Sequence, residues 1–265
     1  MADNHLLANP LLDHSQWRDL VAYKPWETVK ELALPLPWFF LELWASTNQM
    51  YLLALIASAY FFLTCLRLSH NAFHYAIGLS RPATNAVMLI LSVFMMTSMR
   101  ATQYTHLQHH RHCLGEGDVE GHIAKLPFYE MLLQAPLFSI KLHIAALKNA
   151  KSPQRFWVKT EIALNVIWML LIWLWWDFDV LKIHTVIMLL SHAISPLFTV
   201  WSVHHDCEDS NYDSRTLRVP WLNLFAYNMF YHLEHHNYPA VPTCHLPELA
   251  KRLDAAGLTH YKTVL

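Results

Sequence analysis

The chain has 265 residues, of which 54% are hydrophobic and 15% are charged, whereas roughly 25% of an ordinary soluble domain is charged. The formal net charge of −1 lacks the basic excess typical of nucleic-acid-binding domains. Five glycines and the lack of a GxGxxG or Walker sequence argue against a phosphate-binding loop. The 11 Trp, 11 Tyr and 13 Phe favour lipid contact, because aromatic rings collect at membrane interfaces.

Polar and apolar stretches alternate along the chain. Residues 1–31 are polar and expected at the membrane interface, and residues 100–156 are mixed and basic. Residues 203–265 are expected to form a cytosolic cap that ends in an amphipathic helix at about 246–256. No repeat or linker is evident, so residues 1–265 are predicted to form one domain. The apolar stretches, each near the length of a membrane-spanning helix, lie at 33–47, 50–69, 83–99, 157–176 and 180–202.

Histidine accounts for 19 residues, and many of these residues follow a regular spacing. Three boxes are present: His70-x3-His74, His106-x2-His109-His110 and His232-x2-His235-His236. Residues three or four positions apart share one face of a helix, so each box can direct its imidazoles to one side. With one more histidine, His204 or His205, the total of nine is enough for two metal ions with four or five imidazoles each.

The positions of the boxes constrain the topology. The first box follows stretch 50–69 and the second follows stretch 83–99. If 83–99 crossed the bilayer, the two boxes would lie on opposite faces, so this stretch is predicted to be interfacial or re-entrant. Thr84 and Asn85 weaken its apolar character in agreement. We therefore predict an all-α integral membrane protein with four transmembrane helices in two hairpins, an interfacial or re-entrant helix, and a cytosolic helical cap carrying the boxes.

Basic residues favour one orientation of this topology. The turn Asp177–Asp179 on the opposite side is acidic. By the positive-inside rule the metal site is expected on the cytoplasmic face of a multi-pass membrane protein. The basic residues on the side of the boxes are Lys24, Lys30, Arg67, Arg81, Arg100, Arg111, Lys141, Lys148, Lys151, Arg155 and Lys159.

The ligand type narrows the choice of metal. All-imidazole sites suit Zn, Cu, Fe or Ni, but eight or nine histidines exceed what one zinc ion needs. Two Fe ions with open positions for O2 would use them. Carboxylates near the boxes can orient a ligating histidine by accepting a hydrogen bond from its second ring nitrogen. Asp118 is the first candidate for this role, and Glu120 and Glu234 are further candidates. The alternative is that these carboxylates belong to a solvated acidic loop. Cys113 is expected to be an ordinary thiol, and His192, in an apolar stretch, a structural residue that needs a polar partner.

The boxes, in this order between these apolar stretches, resemble those of the membrane fatty-acid desaturase superfamily, which includes hydroxylases and carotenoid ketolases. The stretch 231–242, Tyr-His-Leu-Glu-His-His-Asn-Tyr-Pro-Ala-Val-Pro, is especially similar to the final box of bacterial-type members. The resemblance covers about residues 50–250. It implies a cytosolic non-haem di-iron centre (Fe2+/Fe3+), with O2 as co-substrate, held by His70, His74, His106, His109, His110, His232, His235 and His236.

The resemblance also implies a ninth ligand upstream of the last box, which the spacing assigns to His204 with His205 as the alternative. Animal acyl-CoA desaturases have an Asn one helical turn before that ligand, where this chain has Val200. Asn228, one turn before His232, is the candidate to replace it.

The implied activity is O2-dependent desaturation of an unactivated fatty-acyl chain carried by a carrier protein, CoA or a lipid. Two electrons would come from an external donor, a ferredoxin or cytochrome b5 with its reductase, because this chain contains no such segment. Hydroxylation or ketolation of an alkyl or acyl chain or a carotenoid is the close alternative. A metal transporter or a zinc-dependent receptor is the remote alternative. A transporter would place polar ligands in the middle of its spanning helices, whereas the boxes here lie at helix ends and on loops.

Overall fold

The computed structural model describes residues 12–208, 212–258 and 260–264; residues 1–11 of the predicted N-terminal segment lie outside these ranges. The described residues form an all-α protein without strands, apart from one isolated β-bridge between Thr216 and Thr263. The helices are α1 (Pro25–Ala33), α2 (Leu36–Thr47), α3 (Tyr51–Phe73), α4 (Arg81–Phe94), α5 (Met99–His112), α6 (Phe128–Asn149), α7 (Ser152–Trp176), α8 (Asp179–His204), α9 (Pro220–Phe225), α10 (His232–Asn237) and α11 (Leu246–Ala255).

Four helices of the described part are long and apolar enough to cross a membrane: α3, α6, α7 and α8. Three of them match predicted crossings, but the first predicted crossing, 33–47, is corrected to the 12-residue helix α2. At 1.5 Å per residue α2 measures about 18 Å, less than the roughly 30 Å of a hydrocarbon core. The break at Pro35 separates it from α1. It still forms a hairpin with α3, in which Trp38 stacks on Tyr60 with ring centroids 4.6 Å apart.

Helix α6 was not predicted, because its hydropathy is diluted by polar residues within the mixed stretch 100–156. Its first residue, Phe128, contacts Trp201 near the end of α8, with ring centroids 5.4 Å apart. Its last residue, Asn149, lines a cleft together with Gln108 and His112 of α5. Both ends therefore lie on the side of the protein where α5 and α8 end, which we call the histidine face. α6 is long enough to span a membrane, and between its ends His143 Nε2 accepts a hydrogen bond from the Ser98 N–H at the start of α5, at 3.0 Å.

The pair α4–α5 is re-entrant, as predicted for stretch 83–99. The chain changes direction by 112° between α4 and α5. The Phe94 carbonyl at the end of α4 accepts a hydrogen bond from His184 Nε2 at 2.9 Å, and His184 precedes His204 by 20 residues, about 30 Å of helix. The chain thus descends far from the histidine face before α5 returns to it.

Side chains of α8 satisfy backbone carbonyls at this bend. His184 binds the Phe94 oxygen, and His192 Nε2 donates to the Met95 oxygen at 2.6 Å. A broken helix in hydrocarbon needs such partners because no water is available there. The polar partner expected for His192 is therefore the Met95 carbonyl, and its structural role is confirmed.

The cap joins the two ends of the described chain. The amphipathic helix predicted at 246–256 is α11, which buries Leu249 and Leu253 against Leu12, Trp17 and neighbouring residues. Trp17 is therefore part of the cap core, together with Leu12 and Leu20. Trp26 of the same predicted interfacial segment is exposed.

Helix α9 extends the cap towards the membrane-embedded helices. Trp221, Leu224 and Phe225 are exposed on it. After α9 the backbone turns at Tyr227 and Asn228, whose φ angles are 51° and 64°. The Tyr227 hydroxyl accepts a hydrogen bond from Trp38 Nε1 of α2 at 2.9 Å. This part of the cap contacts the spanning bundle.

Candidate metal centre

Four elements bring the histidine boxes together. His70 lies in the last turn of α3 and His74 caps its end. The second box occupies the last two turns of α5, and the third box forms α10. His204 is the last residue of α8. Because the residues of each box are three or four positions apart on a helix, their rings point the same way into the space between these elements.

The nine histidines separate into two groups. In each group one ring nitrogen per residue lies within 4.8 Å of every other. The larger group, here group A, contains His70, His74, His106, His110 and His235. The smaller, group B, contains His109, His204, His232 and His236. The second and third boxes each contribute to both groups, as their mixed three- and four-residue spacing predicted.

Ring nitrogens approach one another closely within both groups. In group A the Nε2 atom of His106 lies 3.0 Å from that of His74 and 3.1 Å from that of His110. In group B the Nε2 atom of His204 lies 3.0 Å from that of His109 and 2.8 Å from that of His232. These atoms converge on two points, which are the candidate metal positions.

The hydrogen bonds of the outer nitrogens show that the donor set fits a cation. A neutral imidazole carries one N–H. His109 Nδ1 donates to Asp118 at 2.8 Å and His204 Nδ1 donates to the Asp213 carbonyl at 2.7 Å. Their facing Nε2 atoms then carry only lone pairs, which repel unless a cation lies between them. His70 adds two buried ring nitrogens, and His236 one, that have no hydrogen-bond partner; such buried polar atoms are costly unless ligated.

Three acidic residues hold the outer nitrogens of the histidines. Asp118 also accepts hydrogen bonds from the backbone N–H groups of Leu114 and Gly121, at 2.9 and 2.8 Å. Burial would raise the pKa of Asp118, but the hydrogen bond with His109 and these N–H groups outweigh it and lower the pKa to about 2. The carboxylate therefore stays ionised and fixes the tautomer of His109.

The other two acidic residues serve different histidines. Glu120 Oε1 lies 3.3 Å from His106 Nδ1 in group A. The Asp213 carboxylate lies 3.6 Å from His236 Nδ1, while its backbone carbonyl binds His204. Asp213 was missed in the sequence, because it lies in the loop after α8 with no regular spacing to a box.

Comparison with known proteins identifies the family. The sequence profile of the fatty acid desaturase family matches residues 46–264. The chain belongs to the fatty acid desaturase family. Two relatives are sphingolipid delta(4)-desaturase/C4-monooxygenases, from Rattus norvegicus (25% identical over 190 residues, 68% of this chain and 57% of the relative) and from Bos taurus (25% over 197 residues, 69% and 58%). The match thus spans less than two thirds of the length of these relatives.

In this member of the fatty acid desaturase family, His204 and His205 have different surroundings. His204 is in group B, whereas the His205 ring stacks on Trp201 and its Nδ1 donates to the Ala124 carbonyl at 2.8 Å. A π-helical turn, Leu197–Trp201, precedes the pair and changes the helical register that sequence spacing assumes. The neighbouring Val200 is buried in an apolar cluster.

Two other candidate residues, Glu234 and Asn228, have surroundings that differ from the prediction. Glu234 forms a hydrogen bond with Thr216 at 2.7 Å and an ion pair with Arg218 at 2.6 Å, so it braces the cap beside the third box. Asn228 is in a turn with a φ of 64°, and α10 begins only at His232. The helical turn that was expected to connect Asn228 to His232 is therefore absent, and its role at the metal stays a prediction.

Cys113 lies at the edge of group B. Its Sγ atom is 3.9 Å from His109 Nε2 and 3.8 Å from His204 Nδ1. Burial raises the pKa of Cys113 to about 11. Cys113 also belongs to two further groups of side chains that could hold a metal ion, one with His109 and Asp118 and one with Asp213 and His236, so its assignment as an ordinary thiol stays a prediction.

Proposed function

We propose that this member of the fatty acid desaturase family is an O2-dependent di-iron oxidoreductase that desaturates an unactivated fatty-acyl chain in the membrane. The observation that carries the proposal is the division of nine histidines, seven of them buried and two partly buried, into two groups of converging ring nitrogens. Group A and group B would each hold one iron. Iron ions with open coordination positions, as non-haem iron oxygenases keep them, would activate O2, the oxidant for cleavage of an unactivated C–H bond.

The reaction balances with an external reductant. An acyl –CH2–CH2– unit, O2, two electrons and two protons give –CH=CH– and two molecules of water. The two electrons are assigned to a ferredoxin or a cytochrome b5 with its reductase, and the acyl group to a carrier protein, CoA or a lipid.

The protein residues have three tasks in this reaction. Asp118, Glu120 and Asp213 hold the imidazoles of both groups in the tautomer that directs Nε2 inwards. All four histidines of group B are buried, with His109 and His204 1% exposed, whereas His74 and His110 of group A are partly buried, so that access of bulk water is restricted most strongly at group B. The surrounding helices hold the chain in the bilayer, where an alkyl substrate resides, and the positive-inside rule supports a cytoplasmic position of the centre.

Hydroxylation is a second candidate function, favoured by the two relatives, whose names describe them as both desaturases and monooxygenases. In this case R–H, O2, two electrons and two protons give R–OH and one water. Both reactions would use the same ligands, and the placement of substrate relative to the centre would decide between them.

The experiment is expression in a host that supplies a ferredoxin or cytochrome b5 reductase system, followed by mass spectrometry of acyl lipids, sphingolipids and acyl carriers. Loss of two hydrogens is expected, and gain of one oxygen would favour the hydroxylase. His106→Ala is expected to abolish the product, because this residue lies at the centre of group A. A purified protein with one zinc ion and no iron-dependent activity would contradict the di-iron proposal.

A further inference from the structure

The N-terminus of α5 lies inside the membrane-embedded bundle, at the bend that follows α4. The first four N–H groups of any helix have no partners within the helix. In hydrocarbon each unsatisfied group costs several kcal/mol. The helix that carries the second histidine box therefore begins where its backbone most needs partners from elsewhere in the chain.

Glu161 of α7 supplies the main acceptor. Its Oε2 atom accepts hydrogen bonds from the Ser98 hydroxyl at 2.7 Å and from the Arg100 N–H at 2.8 Å. The Ser98 oxygen accepts from the Ala101 N–H at 3.1 Å, and His143 Nε2 of α6 accepts from the Ser98 N–H at 3.0 Å. Glu161 is 1% and Ser98 0% exposed, so protein atoms, not water, satisfy these groups.

The same contact also fixes where α5 lies. Ala101 packs against Ala146 and Val158, small residues that let α5, α6 and α7 approach closely. His106 follows Ser98 by eight residues, about 12 Å along a continuous helix. A shift of the helix start would thus be transmitted to His106 and to His109, one in each group.

We propose that Glu161 is a positioning residue for the second histidine box: it fixes the start of α5 in the membrane and thereby the place of three imidazoles in the two groups. The inference rests on the proposed function, because it takes the box to bind metal. Glu161 itself touches neither group, and no feature of the His boxes points to a residue of α7.

The test is a titration of the metal-free, full-length protein in detergent micelles with Co2+, a probe whose visible absorption reports coordination. Glu161→Leu removes the carboxylate that accepts the hydrogen bonds from the Ser98 hydroxyl and the Arg100 N–H. Because these buried donors then have no acceptor at the start of α5, Co2+ binding is expected to weaken about tenfold. Glu161→Gln keeps a carbonyl oxygen for Ser98 and Arg100 and is expected to restore binding to within about threefold of the wild type and to restore its spectrum.

Glu42→Leu is the matched control. Glu42 is a fully buried carboxylate of α2 whose Oε1 atom lies 2.9 Å from His184 Nδ1, and no hydrogen bond or ion pair joins it to α5 in the part of the chain that the structure describes. It is expected to leave Co2+ affinity within about threefold. Equal losses in both Leu variants would mean that any buried carboxylate matters through general stability, and would overturn the inference.

The outcomes separate the two proposals. If the wild type fails to bind Co2+ at the histidines, the proposed function itself is contradicted. If the wild type binds and Glu161→Leu binds equally well, only the positioning role is overturned. Should Glu161→Leu fail to fold, Ser98→Ala removes one of the two donors to Glu161. A clear loss of affinity in Ser98→Ala supports the inference, and unchanged affinity contradicts it.

Discussion

Asp118 reaches His109 only because residue 121 has no side chain. A Cβ atom on Gly121 would lie 2.1 Å from the Asp118 Oδ2 atom, which binds His109. The absence of a side chain at Gly121 also lets its N–H donate to the other carboxylate oxygen. Two residues that bind no metal in our proposal thus set the orientation of a ligand.

Asp118→Ala is expected to lower metal affinity about 10- to 100-fold, the usual effect of losing the partner of a ligating histidine. Gly121→Ala should act in the same direction, by pushing the carboxylate away. Metal content and Co2+ affinity of the purified protein measure both effects. Glu116→Ala, an exposed residue of the same loop, is the control; an equal loss there would contradict a specific role of Asp118.

The pKa of Asp118 sets the pH range of this effect. Because the pKa is lowered to about 2 from an ordinary value of 3.8, the stabilisation is present above pH 3.8 and is lost as the pH falls through about 2. The difference in metal affinity between wild type and Asp118→Ala should therefore not depend on Asp118 titration near neutral pH.

Among single residues, the histidines with regular spacing could be singled out in the sequence, and their spacing corresponds to the turns of α3, α5 and α10. Of the carboxylates placed by loops, Asp118 was expected because it closely follows the second box, whereas Asp213 was not. Asp213 contacts His204 and His236 through a turn whose path no local pattern specifies. The choice between His204 and His205 depends on the π-helical turn before them, which sequence spacing does not reveal.

At the scale of helices, polar residues and one proline account for the two differences from the prediction. Gln134, Lys141 and His143 lower the hydropathy of the stretch that forms α6. Pro35 interrupts the apolar stretch 33–47, so that the helix within it, α2, has only 12 residues. The re-entrant pair α4–α5 was predictable, because the position of two boxes on one face required it.

The N-terminal segment is held against the cap by His245, just before α11. His245 Nδ1 donates to the Leu20 carbonyl at 2.7 Å and Nε2 faces Glu27 at 3.2 Å. Hydrogen bonding to the Cys244 side chain, together with the Leu20 carbonyl and Glu27, raises the pKa of His245 from 6.5 to about 9 although burial lowers it. The stabilisation is full below pH 6.5 and is lost as the pH rises through about 9.

Hydrogen exchange of residues 12–24, corrected for intrinsic rates, is therefore expected to increase as the pH rises through about 9. In His245→Gln the exchange should already be fast at neutral pH and show no further step. The same pH step in the variant would assign it to another group.

For the whole molecule, the two hairpins α2–α3 and α7–α8 return the chain to the histidine face. The turn between α7 and α8 lies at the opposite end and includes Asp179, whose side chain is 89% exposed. Lys251 on α11 is 78% exposed in the cap. These two positions report on opposite sides of the membrane.

Asp179→Cys is expected to react with a membrane-impermeant maleimide in intact cells, because the basic residues favour a cytoplasmic histidine face. Lys251→Cys should react only after permeabilisation, and the wild type measures the background of native cysteines. Labelling of Lys251→Cys from outside would reverse the proposed orientation.

The division of the boxes between the two groups has a consequence for the assembly of the centre. α3 contributes only to group A and α8 only to group B, whereas α5 and α10 each contribute to both. The first ion to bind therefore also arranges the helices that present ligands to the second. Metal uptake should be cooperative, with few half-loaded molecules, so iron scarcity would lower the number of complete centres instead of producing singly loaded ones.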